Sequence, residues 1–285
     1  MASLNTLHNS DMPQDGEGRI YHLGCKPGDV SHRILSVGDP ARAKLIAEAY
    51  LDPATVRTVF SNRGFHTYTG MYNGVELSII SIGMGRPMMD FMIREARAVV
   101  NGPMVIIRLG SAGSIVTDVD PGTVVVNSEG SSLVCQGVDA DGQFTYSFSP
   151  LEMPHKGLSD LLVKEMTSCL STGSVKPACD LTADSFYSSQ GRPSANFADA
   201  NAGLLDKMAA AFPNVGSLQM ETYQLFRLAN ICLPAEGEAN RIDTSAAAII
   251  LFNRLTGQGV SADLRRQLEL EAGRACLQAL ANHTF

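Results

Sequence analysis

Four short stretches of the sequence set arginine, glutamate or amide side chains where an apolar run ends, and each suits an anion or a hydrogen-bonding ligand. In "SVGDPARAK", Gly38 allows close backbone approach, Asp39-Pro40 starts a helix whose N-terminus attracts negative charge, and Arg42 adds a forked cation. Helix capping is the plainer reading of the same turn. In "VIIRLGSAGSI", Arg108 sits in or at the end of an apolar strand, where an unpaired charge is costly, and small residues with free backbone donors follow. It serves either an anion or a structural carboxylate at the sheet end. In "LQMETYQLF", Glu221 opens an apolar-periodic helix, a place where the macrodipole alone also favours an acid. The fourth stretch, "DSFYSSQGRP" from Asp184 to Pro193, gathers two aromatics, three serines, Gln190 and Arg192 in a segment that fits neither helix nor strand period. "GMGRP", Gly83 to Pro87, does not complete G-x-G-x-x-G and reads as a tight strand-to-helix turn.

The elements that must hold these stretches follow from hydrophobic pattern. "RILSV", "VELSIISI", "MVIIRL", "GTVVVN" and "AAAIILF" read as strands, several buried on both faces. Helical patterns lie between and beyond them: "DPARAKLIAEAY", "MMDFMIREARAVV" after Pro87 with Met89, Ile93 and Ala96 on one face, "GLSDLLVKEMTSCL", "GLLDKMAAAF", "ETYQLFRLAN" and "SADLRRQLELEAGRACLQAL". Asn73-Gly74 in "MYNGVELS" signals a hairpin, so the sheet is mixed. The fold class expected is α/β, a single-domain three-layer α/β/α sandwich around a central mixed, twisted sheet. Residues from about Ser128 to Pro154 read as an irregular functional excursion.

The chain of 285 residues has a formal charge of -7 and no run of like charges, which argues against a nucleic-acid or membrane-surface binder. An anion must therefore be met locally. The six cysteines are scattered without a CxxC pair, so neither a disulfide framework nor a metal site is expected. Residues 1–19 read as a flexible polar arm without a targeting pattern, 20–285 as the functional domain, and the cytoplasm as its location.

In order, "YHLG", "GDPAR", "SNRGF", "RLGSAGSI", "FSPLEMP", "SFYSSQGRP", "QMET" and "ILFNR" make the chain resemble the nucleoside phosphorylase-I superfamily, and within it the uridine phosphorylase branch, from about Tyr21 to the C-terminal helix. The resemblance implies a reversible phosphorolysis of uridine to uracil and ribose 1-phosphate, with inorganic phosphate as co-substrate and no cofactor. It makes Gly38, Arg42, Arg108 and Ser111 phosphate ligands, with Arg63 supplied from a neighbouring subunit. It makes Met220 and Glu221 the ribose pair, with His22 also crossing from the neighbour. It places Phe186, Gln190, Arg192, Gly113 and Arg254 around the base, and makes Arg192, Gln190 and Arg108 the catalytic set. A homo-oligomer with sites shared across a dimer interface is implied, a homodimer or a hexamer of dimers, since one chain alone lacks a complete site.

The chemistry suits those assignments. Phosphorolysis makes the ribose oxocarbenium-like and the departing pyrimidine anionic, so cations and amide donors belong around the base and phosphate on the opposite face of the sugar. Gln190 and Arg192 are two apart, and in an extended segment both point the same way. A glutamine amide both donates to and accepts from the uracil edge, while an arginine stabilises charge growing on its oxygen. Purine-specific relatives carry a Ser-Asp pair where this chain has Asn253-Arg254, and arginine cannot protonate a purine. Arg254 is a second candidate for the uracil oxygen.

Departures from the family pattern are Gln219 in place of a Glu, Ala112 in place of a hydroxyl residue, and an added charge at Arg86, for which surface solvation is expected. Gly64 replaces a Glu that binds a monovalent cation between subunits of some relatives, so no potassium requirement is expected. Purine nucleoside phosphorylase, a nucleosidase on the same fold, and a non-catalytic nucleoside sensor are the alternative readings. Tolerance for deoxyuridine or thymidine is left open.

Overall fold

The run "MVIIRL" lies in the middle of the sheet because both faces of its strand are covered. In β5 (Met104–Ser114), Val105, Ile107 and Leu109 face one core while Met104 and Ile106 face the other, the period of two that a doubly buried strand requires. The computed structural model of the protein describes residues 7–233 and 239–285.

On either side of β5, β1 (Arg33–Val37) and β12 (Ile242–Asn253) run parallel to it. Beyond β1 lie β4 (Val75–Ser81), β3 (His66–Tyr72) and β2 (Arg57–Phe60), the last two antiparallel to their neighbours. Asn73 and Gly74, with φ of 50° and 80°, close the β3–β4 hairpin as their sequence signals. The far side holds β11 (Val215–Gln219), β10 (Cys179–Ala183), β7 (Ser131–Val138) and β8 (Phe144–Phe148). Short strands β6 (Val124–Val126) and β9 (Val175–Pro177) branch off β12. All twelve described strands thus share one mixed sheet, and the chain is a single domain.

Helices cover both faces. α1 (Pro40–Tyr50), α3 (Lys156–Cys169) and α6 (Ala262–Asn282) pack over Leu35, Ile107 and Ile249. α2 (Arg86–Val99) and α5 (Thr222–Ile231) pack over Ile34 and Ile106, with Met89, Ile93 and Ala96 of α2 buried together as its periodicity requires. α4 (Leu204–Ala211) closes a smaller core over β10 and β11. These are the three layers expected. The end of α6 is tied back to the sheet, because His283 Nε2 lies 2.8 Å from the carboxylate of Asp243 at the start of β12. Among the described residues, no helix is long and apolar enough to cross a membrane.

One stretch departs from its sequence reading. Ser128 to Pro154 is not irregular: it carries the antiparallel pair β7 and β8, and β7 also joins β10 in parallel. Its signal is hidden because β7 opens on two serines whose hydroxyls are satisfied internally, Ser131 on Asp180 at 2.7 Å and Ser132 on the Ser149 carbonyl at 2.7 Å. The outer half of the hairpin is exposed and needs no apolar alternation. Of the N-terminal arm, residues 1–6 lie outside the described residues, and from His8 onward the backbone forms isolated bridges to Gln14 and Ile20.

Candidate active site

A cavity of about 490 Å³ opens where β1, β4, β5, β10, β11 and β12 end, and its walls carry most of the residues singled out by sequence. Ligands gather at such carboxyl ends because the strands there release their backbone and the next helices begin.

At one end of the cavity Gly38 and Asp39 follow β1. Asp39 caps α1 by accepting from Ala41 N at 2.8 Å, so the capping reading holds, yet both residues also line the cavity. Arg42, on the first turn of α1, is 3% exposed. It donates from Nη1 to the Leu109 carbonyl and from Nη2 to the Ser111 hydroxyl, both at 3.3 Å, and from Nε to Glu269 at 3.1 Å. Burial pushes its guanidinium below the ordinary value, while the Glu269 carboxylate pulls it back up.

Arg108 also is buried, and the two readings of it converge. Its Nη2 donates to Glu221 Oε2 at 2.5 Å and its Nε to Gln219 Oε1 at 3.2 Å, so it has its carboxylate, but that carboxylate is itself a cavity residue. Nη1 has no hydrogen-bond partner among the described residues, and a buried guanidinium with an unmet donor is costly. Gly110 permits the arrangement: a Cβ there would stand 3.0 Å from Gln219 Oε1 and 3.4 Å from the Arg108 guanidinium. Gln219 is engaged on both sides, since its amide nitrogen also donates to the Thr222 hydroxyl.

Glu221 stands at the N-cap of α5 but makes no capping bond. Its Oε1 accepts instead from Gly85 N at 2.6 Å, and its Oε2 from Met220 N at 3.3 Å besides Arg108. The "GMGRP" turn is therefore more than a connection: it fixes a carboxylate in the cavity wall, beside Met220.

The other end belongs to "DSFYSSQGRP", which is a turn and not an extended segment. Gly191 has φ of 60°, a left-handed conformation suited to glycine, and Gly191 N and Arg192 N bond back to the Ser188 and Tyr187 carbonyls at 3.0 and 2.9 Å. Gln190 and Arg192 still meet in the cavity, with Arg192 Nη2 donating to Gln190 Oε1 at 3.4 Å. The Arg192 guanidinium lies 4.1 Å over the Phe186 ring and donates to the Phe186 carbonyl at 3.0 Å. Burial, opposed by Tyr187, lowers its pKa.

Arg254 clamps this turn. It donates to the carbonyls of Gln190 and, at 3.3 Å, Gly191, while its methylene stem lies over Gly113. Burial, and then the like charge of Arg192, push Arg254 down to about 10, which leaves it cationic at neutral pH. Its predecessor Asn253 is a turn-former outside the cavity wall, donating to the Val116 and Val119 carbonyls.

Two expected residues are elsewhere on this chain. His22 stacks on Phe91 at 4.0 Å with Nδ1 2.6 Å from Glu95 Oε1. Arg63 is exposed and donates to the Tyr21 hydroxyl, with its guanidinium 5.0 Å from the Tyr21 ring. They form one cluster away from the cavity wall. Arg86 is not simply solvated, since it donates to Gln224 at 3.2 Å beside a second cavity of about 390 Å³.

Sequence reasoning missed Met84, Phe252 and Arg265 in the main cavity wall. Met84 and Phe252 are exposed apolar residues of the kind any surface carries. Arg265 stands in a run, "LRRQ", that reads as the solvated face of a helix.

A family model described as the phosphorylase superfamily matches residues 32–232. The uridine phosphorylase of Thermococcus kodakarensis is 33% identical over 227 residues, 78% of this chain and 76% of its own length. A DeoD-type purine nucleoside phosphorylase of Exiguobacterium is 33% identical over 167 residues, 58% of this chain and 66% of its length. A structure from a structural and catalytic study of two diverse uridine phosphorylases in the oomycete Phytophthora capsici superposes with a TM-score of 0.90 at 36% identity, covering 98% of this chain and 100% of that one.

Proposed function

The chain belongs to the phosphorylase superfamily, a family of pentosyl-transferring enzymes, and from that premise we propose that it is a uridine phosphorylase acting in pyrimidine salvage in the cytoplasm. The observation that carries the phosphate half of this reading is the buried Arg108, whose Nη1 has no partner among the described residues in a cavity it shares with Arg42 and Ser111. An attacking water has no use for those cations, whereas a phosphate dianion does.

In the proposed reaction, phosphate held by Gly38, Arg42, Arg108 and Ser111 attacks C1′ of the ribose from the face opposite the base. The bond from C1′ to a phosphate oxygen forms, the bond from C1′ to N1 of uracil breaks, and the electron pair leaves on the base. Glu221 accepts from the ribose hydroxyls and favours the oxocarbenium-like sugar. Gln190 and Arg192 receive the charge spreading onto the uracil oxygens, and the proton that the attacking hydrogen phosphate gives up then reaches N1 through water. Arg254 positions the turn that carries both. His22 and Arg63 of the partner subunit complete the sugar and phosphate ends in a homodimer.

The similarity to a purine phosphorylase keeps a purine reading in view. Against it stand a buried Asn253 outside the cavity and an Arg254 engaged with backbone, neither of them an acid for a purine nitrogen. Incubation with uridine, thymidine and inosine, each with and without phosphate, decides the matter. Phosphate-dependent release of uracil from uridine is expected; cleavage of inosine but not uridine overturns the base assignment, and phosphate-independent cleavage overturns the phosphorylase.

A further inference from the structure

We propose that Arg265, on the first turns of α6, is a further phosphate-binding residue of this chain, and that Asp39 is the carboxylate it exchanges for phosphate. The inference rests on phosphate being the co-substrate of the cavity.

A single carboxylate oxygen sets the geometry. Glu269 Oε1 accepts from Arg42 Nε at 3.1 Å and from Arg265 Nε at 3.0 Å, so two guanidiniums are held side by side at the cavity end that carries Gly38. Their remaining donors differ. Arg42 is engaged with the Leu109 carbonyl and the Ser111 hydroxyl and is almost wholly buried. The Nη2 of Arg265 reaches 3.8 Å from Asp39 Oδ2, a charge contact too long for a hydrogen bond, and its side chain is 44% exposed.

Asp39 is the fixed member of that pair, because its Oδ1 caps α1 through Ala41 N. Arg265 is the less constrained member, 44% exposed and held through its Nε bond to Glu269 and the long contact to Asp39. The charges at this end are matched: Arg42 and Arg265 stand against Glu269 and Asp39, and Arg108 stands against Glu221. A dianion binds there when cations are released from these pairs. Arg42 keeps its buried pairing with Glu269 and meets phosphate through its remaining N–H groups, so Arg265 is the arginine at this end whose pairing is loose enough to exchange. An arginine fork matches two phosphate oxygens, which Asp39 at its present distance does not match.

Titration calorimetry with inorganic phosphate, on the full-length protein without nucleoside, tests this. Arg265→Gln is expected to weaken phosphate about tenfold, as loss of a charge-assisted contact does. Arg265→Lys is expected to fall between it and the parent. Asp39→Asn keeps the helix cap and is expected to tighten phosphate roughly two- to fivefold by removing the competitor. The uridine KM at saturating phosphate is expected to change little in Arg265→Gln, a split that a merely structural loss of α6 would not give. Unchanged phosphate affinity in Arg265→Gln, with Arg42→Gln weakened, overturns the role of Arg265 and leaves the phosphate reading intact. If the parent itself binds no phosphate, both fall. Should Arg265→Gln fail to fold, Asp39→Asn decides: tighter binding supports the exchange and unchanged binding overturns it.

Discussion

Arg108 Nη2 lies 2.5 Å from Glu221 Oε2, so the side chains assigned to phosphate and to pentose are each other's partner. Both are buried, and neither can leave the other without a replacement charge or hydrogen bond. Phosphate supplies one replacement and the ribose hydroxyls the other. Under the proposed function, binding of the two substrates is therefore expected to be coupled, each lowering the cost of admitting the second.

Glu221→Gln gives this coupling a measurable form. It leaves Arg108 cationic and short of its carboxylate, so the variant is expected to lose about 3 kcal/mol of stability, and phosphate is expected to restore a large part of that loss. Thermal melting with and without phosphate reads the effect. A variant that melts like the parent, with no added response to phosphate, contradicts the pairing as the source of coupling.

Arg192 stands over Phe186 and against Gln190 in the cavity wall, with no hydrogen bond to Arg42. Arg192→Ala is expected to lower turnover of uridine by roughly 10²–10³, the cost of one preorganised donor at a developing anion. Phosphate affinity, measured directly, is expected to stay near that of the parent. A fall in phosphate affinity with turnover preserved would show that the two ends have been exchanged in the assignment.

His22 and Arg63 lie outside the wall of their own chain's cavity, which makes subunit complementation informative. Arg63→Ala and Arg192→Ala, each nearly inactive alone, are expected on mixing and reassembly to recover roughly a quarter of parental activity, since half the dimers are mixed and each then holds one intact site. No recovery, with mixed dimers demonstrated by mass spectrometry, removes the cross-subunit role.

Asp243 supplies a pH dependence. Burial alone would raise its carboxyl, but the bond with His283 and the charges of His155, Arg241 and His283 outweigh it and hold the group below the ordinary carboxylate value. A carboxyl lowered in the folded state contributes stability that is complete above its unfolded pKa of about 4 and is lost as pH falls through the folded value. The gap in melting temperature between parent and Asp243→Asn is expected to be full at pH 7 and to close progressively below pH of about 4. A gap of constant size down to strong acid is the contrary result.

The sheet was legible in the sequence wherever burial imposed a pattern. The runs around Ile107, Val125 and Ile249 are doubly buried and apolar throughout, and Asn73-Gly74 marks its turn by backbone conformation alone. The β7–β8 hairpin was not legible, because hydroxyls of Ser131 and Ser132 bonded inside the fold look in sequence like loop residues. Arg42, Arg108, Glu221, Gln190 and Arg192 stood out by type and position, and the cavity does gather them. Their pairings did not stand out. The contact of Arg108 with Glu221 spans 113 residues, that of Gly85 with Glu221 spans 136, and that of Arg42 with Glu269 spans 227, and no local pattern encodes contacts between such distant parts of a chain. Arg254 was placed on the base by resemblance, whereas its bonds run to the backbone of the turn beside it.

Strand β5 lies along the cavity from Arg108 to Gly113, while Gln190 and Arg192 stand on a turn that closes mainly on its own backbone. A strand rises about 3.3 Å per residue and does not stretch, so β5 acts as a covalent ruler between the end marked by Arg42 and the end marked by Arg254. A redesign that exchanges residues 184–193 changes what is recognised at the far end while the ruler stays as it is. Under the proposed function, the choice of leaving group is therefore expected to be open to alteration by a graft, and the length of sugar that spans the two ends is not.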